Sequence, residues 1–527
     1  MNRLPFLLGG VLMLAGCKAV GPDYHGPPAP EAPNPLRFKN AMADNARRWK
    51  IAEPKDMAVR GAWWEIFHDP DLNQLEDAAT ANNQNLRVAV ARIAESRAQS
   101  RVAASDFYPH ADYEGSYTRQ RTSNNEPYQR GQLVKPKAIG GGAMGDASGG
   151  AAGGGGGEPM TLTQQPLTRT YSLFRQPVDL NWELDLFGRV RRNTEAARAD
   201  AEGAQADFEN TKLSIAANVA LTYFNVRALD TEIAVINRTI HARQDALGIA
   251  QERLSAGLTG ELDVVRERAE LATDRADLEG VRRSRLEMEN ALATLVGQPA
   301  STFRFASHEL PFTSKPPRVP AGLPSALLER RPDVAVAERQ LAASNARVGV
   351  AVAAFFPRIT ITGAAGFESA TVTDLFNWQS HIWQIGPSIN FPIFEGFRNQ
   401  ANLQAAHARY DESVAQYRQQ VLVAFQDVEN ALGDLRTLAA QSEQQNLAVE
   451  ASRRTLQLSQ DQYRNGAVTF LDVTDAERSV FNSERTAAQL LGQRMASTVQ
   501  LIKALGGGWD GDGRNAEVKT PRATVGN

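Results

Sequence analysis

The sequence predicts a mainly α-helical chain with some β-structure. The expected fold is a long coiled-coil α-barrel continuous with a twelve-stranded transmembrane β-barrel, both completed by trimerisation, each chain giving four strands. Three observations carry this expectation. Two long segments repeat at a fixed offset, long proline-free stretches keep an apolar period of seven, and short stretches between them switch to period two.

Taken in chain order, residues 1–16 read as an export signal. Arg3 supplies the positive start, and Leu4 to Ala15 is an apolar stretch too short to span a bilayer. It ends in Leu14-Ala15-Gly16-Cys17, and Cys17 is the only cysteine, which excludes an intramolecular disulfide and any multi-cysteine metal site. The string resembles the bacterial lipoprotein box, which implies cleavage before Cys17 and a covalent lipid on its thiol. Lys18 stands where inner-membrane retention signals usually carry Asp, so the anchor points to the outer membrane. The plainer alternative is a cysteine that merely falls within an apolar segment. Residues 17–71 are then a lipidated extended arm with equatorial packing, rich in prolines at 22, 27, 28, 30, 33 and 35.

The repeat organises the rest. An offset of 209 residues lays Leu180-Asn181-Trp182 on Ile389-Asn390-Phe391, Gly257 on Gly466, and Leu262-Asp263-Val264 on Leu471-Asp472-Val473. Upstream, an offset of 248 lays Ala89, Ala94, Val102 and Pro109 on Ala337, Ala342, Val350 and Pro357. The first copy therefore carries 39 extra residues between Pro109 and Leu180, including the glycine-rich tract 140–157, which reads as an added mobile loop. These matches give a first repeat over 72–298, an equatorial connector over 299–332, a second repeat over 333–506 and a flexible tail over 507–527.

Within the repeats no proline occurs from Val178 to Gln298 or from Ile393 to Thr520. In the first copy Val219, Val226, Ile233, Ile240, Leu247 and Leu254 form one row, and Phe208, Ile215, Thr222, Leu229 and Ile236 a second. Val414, Val421, Val428, Leu435, Val449 and Leu456 are the equivalent of the first row in the second copy. A sustained heptad implies left-handed supercoiling. The stretch from Arg189 to Ala256 is 68 residues, about 100 Å as helix. The shorter helices Asn85–Asp106 and Asp263–Val296 are expected to lie end to end beside it.

Between helices, Val178, Leu180, Trp182 and Leu184 alternate with Asp179, Asn181, Glu183 and Asp185. Ile385, Ile389, Phe391 and Ile393 alternate with Gly386, Ser388, Asn390 and Pro392. Upstream partners are Tyr113, Gly115 and Tyr117, and Ile359 and Ile361. Strands with one apolar and one polar face suit a barrel between lipid and water, but four cannot close one, since bacterial barrels need about eight. Copies of the chain must share it. Strand counting admits a dimer, and a trimer is the best closed solution.

The function classes excluded are as informative. The net charge of -3 and pI near 6.2 predict no nucleic-acid partner. The mean hydropathy of -0.37 is that of a water-exposed protein, and no apolar run long enough for a transmembrane helix follows the signal. The seven histidines include no pair at metal spacing, and the sequence holds no His-Glu-x-x-His, no Gly-x-Ser-x-Gly elbow and no Gly-Lys-Ser/Thr after its glycines. No catalytic residue, metal or cofactor is expected, apart from the lipid on Cys17.

The motifs Trp63-Trp64-Glu65-Ile66-Phe67, Trp182-Glu183-Leu184-Asp185-Leu186-Phe187-Gly188 and Leu327-Leu328-Glu329-Arg330-Arg331-Pro332-Asp333-Val334, with Ala354-Phe355-Phe356-Pro357, resemble the TolC-like outer membrane factor family, in its lipidated NodT-type branch. The resemblance covers about Trp63 to Gly507. It implies a trimeric efflux conduit embedded in outer-membrane lipid, joined by a periplasmic adaptor to an inner-membrane pump of the proton-driven class. It makes Gly257, Leu258 and Thr259, with Gly466, Ala467 and Val468, the tips an adaptor grips. It also makes Asp472, Asp475 and Asp263 pore-constricting carboxylates and gives Tyr463 a bracing role in the closed state.

The plain structural reading stands beside each. A glycine simply ends a helix. Thr469-Phe470-Leu471-Asp472 reads as a capping box, and Asp263 sits equivalently, so Asp472 and Asp263 are either caps or gates. No cap requires Asp475. Some relatives carry arginine where this chain has Val468, so a tyrosine–arginine latch from that position is not available here. Two other functions remain open to the sequence: an outer-membrane conduit for protein or peptide secretion, and a pore-less periplasmic coiled-coil tether, which has no use for apolar strand faces.

Overall fold

Why the chain turns where it does follows from where its glycines, prolines and heptads fall. The computed structural model describes residues 19–26, 61–121, 170–312, 314–317, 319 and 330–507. Cys17, the glycine-rich tract and the tail beyond Gly507 lie outside the described residues. After a short 3-10 turn at Trp63–Phe67, the helices are α1 (Pro70–Asn82), α2 (Gln84–Ser105), α3 (Arg189–Ser255), α4 (Glu261–Leu295), α5 (Pro332–Ala353), α6 (Arg398–Arg464) and α7 (Phe470–Ala504). The strands are β1 (His110–Tyr113), β2 (Ser116–Arg121), β3 (Thr170–Leu184), β4 (Arg358–Ser369) and β5 (His381–Asn390). The chain divides into a helical unit and a sheet unit, the latter made of residues Asp106–Asp185 and Pro357–Phe391.

In the helical unit α3 and α6 are each 67 residues long, about 100 Å, as the heptads require. Two shorter helices lie along each. Arg97 of α2 donates to Gln205 near the start of α3, and Arg285 of α4 donates to Asp230 further along it. Beside α6, the Ser344 hydroxyl of α5 meets that of Ser413, and Arg453 pairs with Glu484 of α7. The heptad rows are the packed rows: Val219, Val226 and Ile236 are fully buried on α3, and Val421 and Val428 on α6.

The largest core gathers Trp63, Leu72, Tyr223, Phe224, Leu292, Phe303 and Met495, where α1, α3, α4 and α7 meet the connector. Charged residues pin that core. Buried Arg227 reaches Asp71 and the carbonyl of Ala306 while lying over the Phe305 ring, and Asp230 accepts from Ser307 and the backbone of His308. Residues 19–26 lie against the start of α3. There Arg192 bonds Asp23 at 2.7 Å, and the Val20 N–H donates to Phe187. No helix among the described residues is long and apolar enough to cross a membrane.

The sheet unit is one antiparallel sheet in which β1 and β2 both pair with β3, β3 with β4, and β4 with β5. Its five segments therefore make four columns. The register places Tyr113, Val178, Ala365 and Trp383 across one face, and Leu184, Ile359 and Ile389 further along it. The opposite face carries Asp179, Asn181, Thr360, Thr362 and Gln384, with Arg358 3.5 Å from Glu183 and Arg175 3.8 Å from Glu368.

Two strand limits differ from the sequence expectation. β3 begins at Thr170 rather than near Val178, running through Pro177, which offers no N–H and interrupts the ladder between β1 and β2. Gly366 opposite Pro177 permits this, since a β-carbon there would lie 2.6 Å from the proline Cα. β5 ends at Asn390, so Phe391 and Ile393 leave the strand ahead of and beyond Pro392. Helix α1 was not among the expected elements. Asp69 caps it, accepting from the N–H groups of Asp71 and Leu72, and Pro70 opens it.

Candidate functional site

Each long helix ends the same way because the same residue type stands at the same place. Gly257 and Gly466 adopt left-handed φ angles of 71° and 72°, which a side chain disfavours. The next residues close a double turn: Leu258 N–H donates to Arg253 and Ala467 N–H to Gln462, at 2.8 and 2.9 Å, while the glycine N–H groups reach Leu254 and Tyr463. The chain then reverses into α4 and α7. Leu258 is 68% exposed, giving the first turn an apolar tip, and the second turn offers only the smaller Ala467 and Val468.

The acidic residues behind the turns divide by partner. The Asp472 carboxylate accepts from the backbone N–H of Thr469 at 2.8 Å and from its hydroxyl at 2.7 Å, which closes the start of α7. Those bonds, the hydroxyl's foremost, hold the Asp472 carboxyl below its usual range. Asp263 accepts from the Thr259 hydroxyl. Asp475 makes no cap. Its side chain is 60% exposed and stands 3.6 Å from Arg478.

Both turns belong to one cluster, in which Tyr463 meets two residues the sequence did not single out. The Arg253 guanidinium lies 4.7 Å from the centre of the Tyr463 ring, which packs on Phe470 at 5.4 Å. A tyrosine–arginine contact thus exists without an arginine at 468; α3 supplies the cation. On the other side Arg478 of α7 donates from Nε to Glu270 of α4 at 3.0 Å and holds that carboxyl below its usual range. Deeper between the helices, Arg243 sits among Glu267, Glu270, Asp274 and Glu477. The repeat held a signal for this. At the 209-residue offset Arg243 falls on Ser452, Glu267 on Ala476 and Asp274 on Ser483, so the charges interrupt the symmetry of the two copies.

The arrangement offers an apolar tip at Leu258, the exposed carboxylate of Asp475, and ion pairs binding one hairpin to the other. No group of three or more His, Cys, Asp and Glu that could hold a metal ion occurs among the described residues.

Residues 75–298 and 323–507 match the outer membrane efflux protein family. The cation efflux system protein CusC of Escherichia coli O6:H1 is 30% identical over 96% of this chain and 98% of its own length. The toluene efflux pump outer membrane protein TtgC of Pseudomonas putida is 30% identical over 97% of each chain. A solved structure of the outer-membrane channel OprN matches with a TM-score of 0.75 and 29% identity, covering 93% of this chain and 99% of that one.

Proposed function

The chain belongs to the outer membrane efflux protein family, as an outer-membrane channel and not an enzyme, and from that premise we propose that it is the exit duct of a tripartite efflux system. Three copies close a twelve-stranded barrel in lipid and a tunnel of helices. A periplasmic adaptor grips the turns at Gly257, Leu258 and Thr259 and at Gly466, Ala467 and Val468. An inner-membrane pump of the proton-driven class supplies the energy, and the duct conducts passively. Lipid on Cys17 adds a second anchor.

The observation that carries this reading is the unfinished sheet. The β1–β2 column and β5 each pair on one side only among the described residues, and the sheet has an apolar face bearing Trp383, Ile385 and Ile389, all at least two-thirds exposed. Each unpaired polar group in hydrocarbon costs several kcal/mol, so edges must meet edges of other copies. Exposed Leu422, Leu447 and Leu458 on α6 give the helical unit apolar surface for the same assembly. A pore-less tether has no use for such a sheet.

Asp475, Asp472, Asp263 and Tyr463 form the gate in this reading, and adaptor binding opens it by favouring a splayed state of the hairpin ends. The cargo is toxic small compounds. Equal identity to a protein named for cation efflux and one named for toluene efflux fits a duct whose pump selects the substrate. Deleting the gene is expected to sensitise its host to at least one compound in a panel of antibiotics, solvents and metal salts, with tolerance restored by the intact gene. Unchanged tolerance across the panel, with loss of a secreted protein, would mark a secretion conduit instead.

A further inference from the structure

Arg243 of α3 is 1% exposed and faces four carboxylates from two other helices. Its Nε lies 2.5 Å from Asp274, its Nη2 3.4 Å from Glu270, and its Nη1 3.7 Å from Glu267 and 3.9 Å from Glu477. The first three carboxylates belong to α4 and Glu477 belongs to α7. Among the described residues the one further cation paired with these carboxylates is Arg478 of α7, which is bonded to Glu270 and shared with Asp475. Two turns further along α7, Arg453 of α6 is committed to Glu484. Carboxylates therefore outnumber guanidiniums at a buried point where the first hairpin meets the return helix of the second.

The site is also short of hydrogen bonds. Both oxygens of fully buried Glu267, Oε2 of Glu477 and Nη1 of Arg243 have no hydrogen-bond partner among the described residues. One turn along each helix stand Ile240, Leu271 and Phe481, members of one apolar cluster, so the surroundings offer little to spread the charge. Like charges crowded into such a place favour taking up protons.

We propose that the Arg243 cluster is a proton-operated clasp, holding α7 to α3 and α4 when the site is protonated and loosening when its last proton leaves. The clasp rests on the gating reading only for its effect on conductance; the attachment of α7 is a separate matter. Burial, and then the facing Glu267, push Glu477 up to about 7 from an ordinary 4.5. Burial also raises Glu267 and Asp274 against the pull of Arg243. A raised carboxyl adds stability that is complete below its ordinary value and disappears as pH rises through the raised one. Glu270, held low by Arg478, acts oppositely and stays ionised until more acidic pH. The clasp is therefore tight on the acidic side of 7 and weak above it.

Hydrogen exchange of the purified full-length protein in detergent tests this at about pH 5.5, 6.5 and 7.5, with rates corrected for the intrinsic pH dependence of amides. Amides of residues 473–481 are expected to lose about tenfold in protection across that range, the equivalent of one pKa unit. Glu477→Gln is expected to abolish the step, and Glu267→Gln, a second variant should the first fold poorly, to flatten it. Equal protection at all three values in the wild type overturns the clasp, as does a full step retained in both variants. Parallel bilayer recordings separate the two readings. A protection step in a protein that conducts nothing would sink the channel gate and leave the clasp standing.

Discussion

Asp472→Ala combined with Asp475→Ala is expected to raise single-channel conductance by about twofold or more and to weaken cation preference, because acidic rings both narrow a pore and attract cations. In a trimer each carboxylate recurs three times around the axis. The two contribute unequally, for reasons visible in their bonds. Asp472 is engaged with Thr469 and closes the start of α7, so its loss alone mainly frays that helix end. Asp475 is exposed, caps nothing and pairs with Arg478 at 3.6 Å, while Arg478 keeps Glu270 as its firmer partner. Most of the gain should therefore appear in Asp475→Ala by itself. Planar bilayer recordings of the single and double variants check this, and conductance and selectivity equal to wild type in all of them contradict the gate.

Arg331→Ala is expected to cost about 3 kcal/mol of stability, the scale for breaking a buried ion pair and leaving its partner behind. The guanidinium joins three helices. It bonds Asp333 at the start of α5 at 2.5 and 3.0 Å, Asp427 in α6 at 3.0 Å, and the Ala504 carbonyl at the end of α7 at 3.3 Å. Arg331→Lys should recover only part of the loss, since an ammonium cannot make the paired contacts of a planar fork. Burial alone would raise Asp333, but Arg331, Val334 N–H and Gln420 hold it below its ordinary 3.8. A depressed carboxyl lends stability above its ordinary value and loses it as pH falls through the lowered one. The gap between wild type and variant should thus persist from neutral pH to about 4 and close only in stronger acid. Denaturant unfolding midpoints measured across that range check it; equal midpoints at neutral pH contradict it.

Local rules made much of this fold legible. Heptads and terminal glycines placed α3 within a residue, Arg189–Ser255 against an expected end at Ala256, because each signal acts within a few residues of what it decides. The capping role of Asp472 was readable for the same reason. Strand limits were less so. Pro177 broke the period-two pattern that β3 in fact continues through, a tolerance that depends on Gly366 in another strand. Helix α1 carried its signals, Asp69 and Pro70, yet only 13 residues of pattern to support them.

At the hairpin ends, the turns and exposed acids could be found along the chain, and Tyr463 by resemblance, but the arginines that join the hairpins could not. Arg253 meets Tyr463, and Arg243 meets Glu477, across separations of more than 200 residues. Nothing in one helix announces which face of another it will touch. The lapse of charge symmetry between the two repeats was the one mark they left.

In the proposed duct a single polypeptide forms only part of the membrane wall and of the tunnel. Native mass spectrometry of the detergent-extracted protein, with the same preparation reconstituted into planar bilayers, tests it most directly. Three copies per particle with stepwise ion conductance is the predicted result. A stable single copy that conducts nothing would contradict it.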